Sequence, residues 1–256
     1  MSRLEGVRAL VTGGTSGIGD AVVERLRSDG AEVVFTGRSE ERGSSVAART
    51  GATFVAADVT DAGDVQRSVE EAVSTLGGLD AVVLNAGVLH EGPLAETSDE
   101  TWDSIMEVNL FGPYRYALVC APHLRAAGGG SIVAIASDAG VWVETAVGAY
   151  SVSKRALIVM AQMLGTELGK DGIRVNLVAP GDTAPGMATT VAGRVERDPT
   201  GWLLPPAGRI GTAPDAAAAV AFFVSPDSSF CNGAVLLVDG GTVSYTHLTL
   251  PTILRV

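Results

Sequence analysis

Tyr150 and Lys154 are four residues apart, a spacing that places two side chains on one face of an α-helix. There the lysine ammonium can lie beside the phenol and favour its ionised form, which lowers the tyrosine pKa from its ordinary value of about 10. Ser137 precedes Tyr150 by 13 residues. A phenol made acidic in this way can pass a proton to or from a substrate oxygen, so these residues predict acid–base chemistry.

A glycine-rich turn, TGGTSGIG, runs from Thr12 to Gly19, where a predicted strand ends and a predicted helix begins. Gly13 permits the tight turn, Gly17 lets the backbone approach a pyrophosphate, and Gly19 lets helix and strand pack closely. The helix N-terminus then offers free amides to the phosphates. Glycine also serves plain turns, so it is the strand and helix around this pattern that favour a dinucleotide site.

Short β-branched apolar runs alternate along the chain with longer segments of helical period. Strands this uniformly apolar are covered on both faces. We therefore predict a single α/β domain, a Rossmann-type doubly wound parallel sheet of about seven strands with helices on both faces. Ligands of such sheets bind at the carboxyl ends of the strands. The predicted strands are Val7–Thr12, Ala31–Gly37, Ala52–Asp58, Leu79–Gly87, Ser131–Ser137, Ile173–Pro180 and Ala234–Gly241.

Composition and charge exclude several classes of partner. The chain has 256 residues, 46% of them apolar, and a formal net charge of -11, which offers no basic surface to nucleic acid or an anionic membrane. The first apolar run starts too early for a signal peptide and no run reaches membrane-spanning length, so a cytoplasmic protein is predicted. Cys120 and Cys231 are predicted as reduced structural thiols. His90 and His123 have no suitably spaced partners, and no metal is expected.

Two segments differ from the rest of the chain. Residues 181–211 are rich in proline and glycine and leave the strand beside the presumed catalytic helix, so we interpret them as a substrate lid within a domain of residues 1–242. An ordinary surface connection is the alternative. Residues 243–256, beginning VSYTHLTLPT, resemble a reading frame through a sequencing adapter. They are predicted to be a non-native tail.

The motifs together resemble the short-chain dehydrogenase/reductase family, in particular 3-oxoacyl reductase-like members. The match extends from about Glu5 to Gly241 and its joint spacing is more specific than any single motif. It comprises TGxxxGxG at Thr12–Gly19, most of NNAG at Leu84–Gly87, Asn109, Ser137, YxxxK at Tyr150–Lys154, PG at Pro180–Gly181 and VDGG at Val238–Gly241.

The resemblance implies catalytic roles for four residues. Tyr150 would exchange a proton with the substrate oxygen and Ser137 would hold that oxygen. Lys154 would bind the nicotinamide ribose and lower the tyrosine pKa, while Asn109 would support a water linking Lys154 to solvent. Each residue alone has an ordinary structural interpretation, and only their joint spacing favours catalysis.

The resemblance also implies a nicotinamide cofactor. Gly37 stands where relatives that prefer NAD carry aspartate, and Arg38 follows it, so a 2'-phosphate and hence NADP(H) are favoured. NAD(H) stays possible, because Arg38 could be a solvated charge and Ser16 stands where NADP-preferring relatives place a second basic residue. The predicted cofactor residues are Gly13, Thr15, Ser16, Gly17, Ile18, Gly19, Arg38, Asp58, Val59, Asn85, Ala86, Gly87, Tyr150, Lys154, Pro180, Gly181 and Thr183.

Two positions depart from the family pattern. Leu84 replaces the first asparagine of NNAG. Pro185 stands where relatives have a threonine that contacts the nicotinamide amide, and Thr183 or Thr189 would have to substitute for it.

The predicted substrate pocket is mostly apolar and has no arginine pair that could clamp a diacid. It favours an uncharged ketone or its secondary alcohol, and 3-oxoacyl thioesters, ring diols and steroids stay open. The alternatives are a non-catalytic NADP(H)-binding redox sensor and an enzyme of dehydration or epimerisation. Relatives suggest a homotetramer built on the regions Asp99–Ala126 and Ala149–Leu168. The predicted pocket residues are Ala139, Val141, Trp142, Val147, Met187 and Trp202.

Overall fold

The computed structural model describes residues 3–184 and 204–246, the last two by backbone alone. The predicted pocket residues Met187 and Trp202, together with Pro185 and Thr189, lie outside the described residues. So do most of the predicted lid and residues 247–256.

Seven parallel strands form the central sheet, and a separate pair of short strands lies beside it. The sheet has the order β3-β2-β1-β4-β5-β6-β9, which confirms the predicted doubly wound α/β fold. The strands are β1 (Arg8–Val11), β2 (Glu32–Gly37), β3 (Thr53–Ala56), β4 (Ala81–Leu84), β5 (Gly130–Ile135), β6 (Ile173–Pro180), β7 (Thr183–Ala184), β8 (Gly211–Thr212) and β9 (Val235–Val238).

The strand order of the sheet reverses between β1 and β4: β2 and β3 lie on one side of β1, and β4, β5 and β6 lie on the other. β1 pairs with β2 on one side and with β4 on the other, with Val11 opposite both Phe35 and Val83. The loops that leave β1 and β4 therefore diverge at this switch point and open a crevice at the carboxyl edge of the sheet.

Helices cover both faces of the sheet and begin and end at residues suited to those positions. Asp61 accepts a hydrogen bond from the amide of Asp64 at the start of α3, and Gly77 ends that helix in the left-handed region with a φ of 72°. The helices are α1 (Gly17–Ser28), α2 (Glu40–Thr50), α3 (Ala62–Leu76), α4 (Asp99–Met106), α5 (Gly112–Ala126), α6 (Gly148–Leu168), α7 (Ala213–Val224) and α8 (Thr242–Thr246).

Alternate strand residues point into two separate cores. On β1, Leu10 packs with residues of α3, α5 and α6, whereas Ala9 and Val11 pack with residues of α1 and α7 on the opposite face. Both cores are fully buried at their centres, which explains why the strands read as continuous apolar runs.

The helical stretch predicted over Asp99–Ala126 is interrupted. A π-helical segment, Glu107–Phe111, separates α4 from α5. Pro113 has no N–H with which to reach the carbonyl of Asn109 four residues earlier, so the regular hydrogen-bond pattern cannot continue through this point.

Two local features differ from the sequence prediction. β7 and β8 were not predicted, and their pairing of Thr183 with Gly211 brings together the two ends of the segment 185–210. α8 was not predicted either, and it includes the first residues of the predicted non-native tail; there the Asp239 carboxylate accepts from the amide of Val243 at 2.8 Å. Among the helices of the described residues, none has the length and apolar composition needed to cross a bilayer.

Candidate active site

A cleft of about 880 Å³ opens at the carboxyl edge of the sheet, where the switch point lies. We call its two ends the nucleotide half and the substrate half. The nucleotide half is lined by Gly13, Thr15–Gly19, Gly37, Arg38, Arg42, Asp58, Val59 and Asn85–Gly87. The substrate half is lined by Ser137–Ala139, Trp142, Glu144, Val147, Tyr150, Lys154 and Pro180–Thr183.

The glycines of the turn after β1 are required by close backbone contacts. A Cβ on Gly19 would lie 2.1 Å from the carbonyl oxygen of Gly13 and 2.4 Å from Asn85 Nδ2. Gly13 has a φ of 67°, and a Cβ there would lie 2.8 Å from Ala86 Cα. Gly17 also has a positive φ, but a Cβ there meets nothing within 4 Å. The turn is thus packed on its inner side and open on the side where a pyrophosphate would approach, so these residues fit a dinucleotide.

Asn85 fastens this turn to the end of β4. Its Nδ2 donates to the carbonyls of Thr12 at 3.0 Å and Gly13 at 2.9 Å. Thr12 Oγ1 in turn accepts from the amides of Asn85 and Ala86. Leu84, the departure from the family pattern, is buried in the apolar core, where its side chain needs no polar partner.

The end of β2 has room for a phosphate but not for a side chain at Gly37. A Cβ on Gly37 would lie 2.5 Å from Thr15 Cγ2, so an aspartate there would have to displace Thr15. Arg38 lines the cleft next to it, and so does Arg42, one turn into α2. Arg42 was not predicted from the sequence, because α2 begins at Glu40 and the helical spacing of four residues does not extend back to Arg38.

Ser137, Tyr150 and Lys154 meet on the wall of the substrate half. Ser137 follows β5 and lies close enough to Tyr150 to favour the ionised phenol, while Tyr150 and Lys154 lie in the first two turns of α6. The Lys154 ammonium lies 5.6 Å from the centroid of the Tyr150 ring and donates to the carbonyl of Ile135 at 2.8 Å. All three side chains are less than a tenth exposed, so water is largely excluded from them.

Burial reverses the predicted effect on the tyrosine. It raises the pKa of Tyr150 to about 12, because desolvation outweighs the hydrogen bond with Ser137, and the charge of Asp138 raises it further. Burial also lowers the pKa of Lys154 to about 8. The Lys154 ammonium is directed at Ile135 and is itself desolvated, so in the protein without cofactor it does not bring the tyrosine pKa below its ordinary value; its effect beside a bound nicotinamide stays a prediction.

Asn109 lies beneath the cleft instead of on its wall. It is fully buried in the π-helical segment, and its Oδ1 accepts from the amide of Val88 at 2.8 Å. Its Nδ2 donates to the carbonyl of Val88 at 2.9 Å and to Ser153 Oγ at 3.0 Å. Ser153 Oγ donates to the carbonyl of Tyr150 at 2.7 Å. The Asn109 side chain thus ties the loop after β4 to the catalytic helix and has its hydrogen bonds satisfied there.

The substrate half is more acidic than the sequence analysis predicted. Asp138, Glu144 and Asp182 line it, and Glu91 adds a fourth carboxylate. Burial raises the pKa of Asp138 to about 6, and the neighbouring charges of Asp182 and Asp239 add to this effect. Asp138 and Glu144 share the connection between β5 and α6, whereas Glu91 and Asp182 follow β4 and β6, so no single local sequence pattern brings all four together. The described residues contain no group of three or more His, Cys, Asp or Glu arranged to hold a metal.

Most of the other predicted site residues line the cleft, and one packs against the core. Every predicted cofactor residue lines the cleft, as do the pocket residues Ala139, Trp142 and Val147. Val141 does not, because it packs against the core between the sheet and α6. The Thr183 hydroxyl donates to the carbonyl of Gly181 at 2.9 Å. Four cleft-lining residues that follow the segment 185–203 in the chain were not among the predicted site residues. They are Leu204, Pro205, Pro206 and Thr242.

Comparisons with known proteins agree with this architecture. Residues 13–243 match the family model described as "Enoyl-(Acyl carrier protein) reductase". L-fucose dehydrogenase of Mus musculus is 36% identical over 94% of this chain and 90% of its own length. The 2,5-dichloro-2,5-cyclohexadiene-1,4-diol dehydrogenase of Sphingobium indicum is 32% identical over 94% of this chain and 97% of its own. The crystal structure of levodione reductase superposes with a TM-score of 0.88 at 28% identity, covering 94% of this chain and 99% of that one.

The family model spans both halves of the cleft, and the relatives and the solved structure cover the chain nearly end to end. The chain therefore belongs to the short-chain dehydrogenase/reductase family, and it is an NAD(P)-dependent oxidoreductase that transfers a hydride between nicotinamide and an alcohol or ketone.

Proposed function

We propose that this protein prefers NADP(H) and interconverts an uncharged, hydroxylated ketone and its secondary alcohol, with Tyr150 as the general acid–base. The observation that carries the proposal is the meeting of Ser137, Tyr150 and Lys154 on one wall of a cleft whose other end fits a dinucleotide.

In ketone reduction the bound cofactor supplies the hydride to the carbonyl carbon. Tyr150 donates its proton to the carbonyl oxygen, a role that suits a phenol whose pKa burial raises to about 12 and which is therefore protonated at neutral pH. Ser137 holds the same oxygen by a hydrogen bond when its hydroxyl is free to donate. The Lys154 ammonium, 5.6 Å from the ring, stabilises the phenolate that remains and would hold the nicotinamide ribose. In alcohol oxidation the proton returns to the phenolate.

Asn109 acts by position in this proposal. Its side chain joins Val88, on the loop after β4, to Ser153 on α6, and Ser153 bonds to the backbone of Tyr150. A change at Asn109 would therefore shift the phenol relative to the nucleotide half.

The NADP(H) preference rests on the end of β2. Thr15 occupies the space that an acidic side chain at Gly37 would need, which disfavours the ribose-binding carboxylate of NAD sites. Arg38 and Arg42 line this end of the cleft, and a guanidinium forms paired hydrogen bonds to phosphate.

The substrate class rests on the carboxylates of the substrate half. The carboxylates of Asp138, Glu144 and Asp182 repel an anionic substrate. They can accept hydrogen bonds from the hydroxyl groups of an uncharged one. L-fucose and a cyclohexadiene diol, the compounds in the names of two relatives, are both hydroxylated rings. A hydroxylated ring ketone fits the same chemistry.

The proposal also covers the oligomeric state, the cellular location and the C-terminal tail. Phe111, Tyr114 and Leu118 form an exposed apolar stripe on α5 and its approach, and Val159 and Met163 form another on α6, which supports a homotetramer. Two free cysteines support a cytoplasmic protein. The family match ends at residue 243, which supports a non-native tail over residues 243–256.

The test is a spectrophotometric panel. The purified protein is mixed with NADPH and with hydroxylated ring ketones, simple ketones, 3-oxoacyl thioesters and keto acids, and nicotinamide absorbance is followed. We expect oxidation of NADPH with neutral hydroxylated ketones and weak activity with keto acids. NADPH binding without oxidation across the panel would favour the redox sensor.

A further inference from the structure

Asp138 follows the serine of the active site directly and holds its hydroxyl. Ser137 Oγ lies 3.1 Å from Asp138 Oδ1. The same carboxylate oxygen accepts from the amide of Ala139 at 2.7 Å, and that amide also reaches Ser137 Oγ at 3.2 Å. The carboxylate and the hydroxyl are thus fixed together in the short 3₁₀ turn that follows β5.

The direction of this hydrogen bond follows from the chemistry of its two groups. An ionised carboxylate only accepts hydrogen bonds, so Ser137 must donate its single hydroxyl proton to Asp138. Ser137 Oγ is then an acceptor toward its other hydrogen-bond partner, the amide of Ala139. A carbonyl oxygen also only accepts, so Ser137 cannot donate to a ketone while Asp138 holds its proton.

The surroundings of Asp138 make its charge easy to remove. Asp182, after β6, and Asp239, after β9, both raise its pKa, and burial has the largest effect, bringing it to about 6. Gly181 lies between Asp138, which follows β5, and Asp239, which follows β9. A Cβ on Gly181 would lie 3.2 Å from Asp138 Oδ2 and 2.9 Å from Asp239 Cβ. From α6, Tyr150 faces the same site as a neutral phenol, and the Lys154 ammonium is directed at the carbonyl of Ile135.

We propose that Asp138 is a positioning residue that controls the Ser137 hydroxyl, holding its proton when ionised and releasing it to the substrate oxygen when protonated. The inference rests on the proposed function, because it concerns the oxygen on which Tyr150 acts. No bond to the Ser137 proton is broken in this process. Only its hydrogen-bond partner changes, from Asp138 Oδ1 to the substrate oxygen.

The consequence is a step in the pH dependence of ketone reduction. Hydrogen bonds to a charged group are roughly twice as strong as neutral ones, so protonation of Asp138 weakens its hold on Ser137. The free hydroxyl then stabilises the negative charge that develops on the carbonyl oxygen. We expect kcat/KM for the ketone to fall by roughly three- to tenfold as pH rises through about 6, to a lower plateau and not to zero.

The experiment measures kcat/KM against pH between 4.5 and 8.5 for the ketone with the highest turnover in the panel, at saturating NADPH. Three proteins are compared, the wild type, Asp138→Asn and Asp182→Asn. The asparagine at 138 is neutral throughout and can donate to Ser137, so the step should vanish and activity should stay at the upper plateau. Asp182→Asn removes a neighbouring charge but leaves the contact between Ser137 and Asp138, so its step should move to lower pH.

Each outcome decides the inference. A step that persists in Asp138→Asn, or one that Asp182→Asn leaves at the same pH, would overturn it. If Asp138→Asn does not fold, the shift in Asp182→Asn decides alone. A panel without any turnover would overturn the proposed function and this inference with it, whereas wild-type turnover without a step would overturn only the role of Asp138.

Discussion

The nucleotide half and the substrate half of the cleft are built from different kinds of interaction. In the nucleotide half, shape is set by missing side chains, since Gly13, Gly19 and Gly37 each lie where a Cβ would collide with a neighbour. In the substrate half, function depends on ionisable side chains whose pKa values burial changes, namely Asp138, Tyr150 and Lys154. Steric requirements select glycine at particular positions and can be recognised in the sequence. Charge effects depend on which loops lie close together in the folded protein.

The largest expected effect lies in the substrate half. Tyr150→Phe removes the proton donor but keeps the ring that packs beside Lys154. Turnover should fall by a factor of about 10² to 10⁴, the typical contribution of a general acid. Fluorescence titration with NADPH is the control, and it should give a Kd close to that of the wild type. Full turnover in this variant would refute the role of Tyr150.

The matching disruption of the nucleotide half is steric. Gly19→Ala places a methyl group 2.1 Å from the carbonyl of Gly13, so α1 must move away from β1. We expect a loss of about 3 kcal/mol of unfolding free energy together with weaker cofactor binding.

Urea denaturation measures the first effect and NADPH titration the second. The control is Gly77→Ala, because Gly77 has a positive φ, which Gly19 does not, and a Cβ on Gly77 meets nothing within 4 Å. That variant should cost about 1 kcal/mol with no effect on cofactor binding. Equal losses in the two variants would contradict the prediction that the collision with Gly13 makes Gly19→Ala the costlier change.

In the nucleotide half, the proposed preference for NADPH over NADH depends on a side chain, that of Arg38. Arg38→Asp replaces a cation with an anion at the proposed 2'-phosphate site. The ratio of kcat/KM for NADPH to that for NADH should fall by roughly 100-fold, the loss of one charge-assisted contact plus repulsion. Arg49→Ala is the control, because Arg49 lies on α2, the helix that follows Arg38, and is paired with Asp20 and Glu24; it should leave the ratio unchanged. An unchanged ratio in Arg38→Asp would remove the argument for a phosphate contact.

The smallest expected effect is on stability. Burial lowers the pKa of Lys154 to about 8, so the unfolded chain binds its proton more tightly than the folded protein between pH 8 and about 10.5. The cost of burying the charge is therefore fully present below pH 8 and is lost as pH rises. Lys154→Met should raise the unfolding free energy by about 2 kcal/mol at pH 7, and the gain should shrink toward pH 10. A gain that does not depend on pH would contradict the burial of a charged amine.

The sequence allowed the fold and the nucleotide half to be predicted in detail. Apolar strand runs and helix-capping residues act locally. Six of the seven strands of the central sheet lie within the predicted segments, and β5 begins one residue before its segment, at Gly130. The turn from Gly13 to Gly19 could be predicted because only glycine meets its steric requirements. Cleft-lining Arg42 was the exception, since only the tertiary packing of α2 turns it toward the cleft.

The rest depended on contacts between distant segments. The placement of the Asn109 side chain depends on its hydrogen bonds with Val88 and Ser153, which join the π-helical segment to the loop after β4 and to α6. The raised pKa of Asp138 needs Asp182 and Asp239 from two other strand ends. The tyrosine was predicted to be acidic from its spacing to Lys154, but the spacing does not reveal that Lys154 donates to Ile135 across the helix–sheet interface.

The central claim is that this cleft transfers a hydride to a carbonyl carbon while Tyr150 protonates its oxygen. The most direct measurement uses NADPH deuterated at the transferable position of the nicotinamide ring, with the best ketone of the panel, and mass spectrometry of the product. We predict one deuterium on the carbinol carbon with the wild type and almost none over the same time with Tyr150→Phe. Product formed without deuterium on that carbon, or equal labelling by the two proteins, would contradict it.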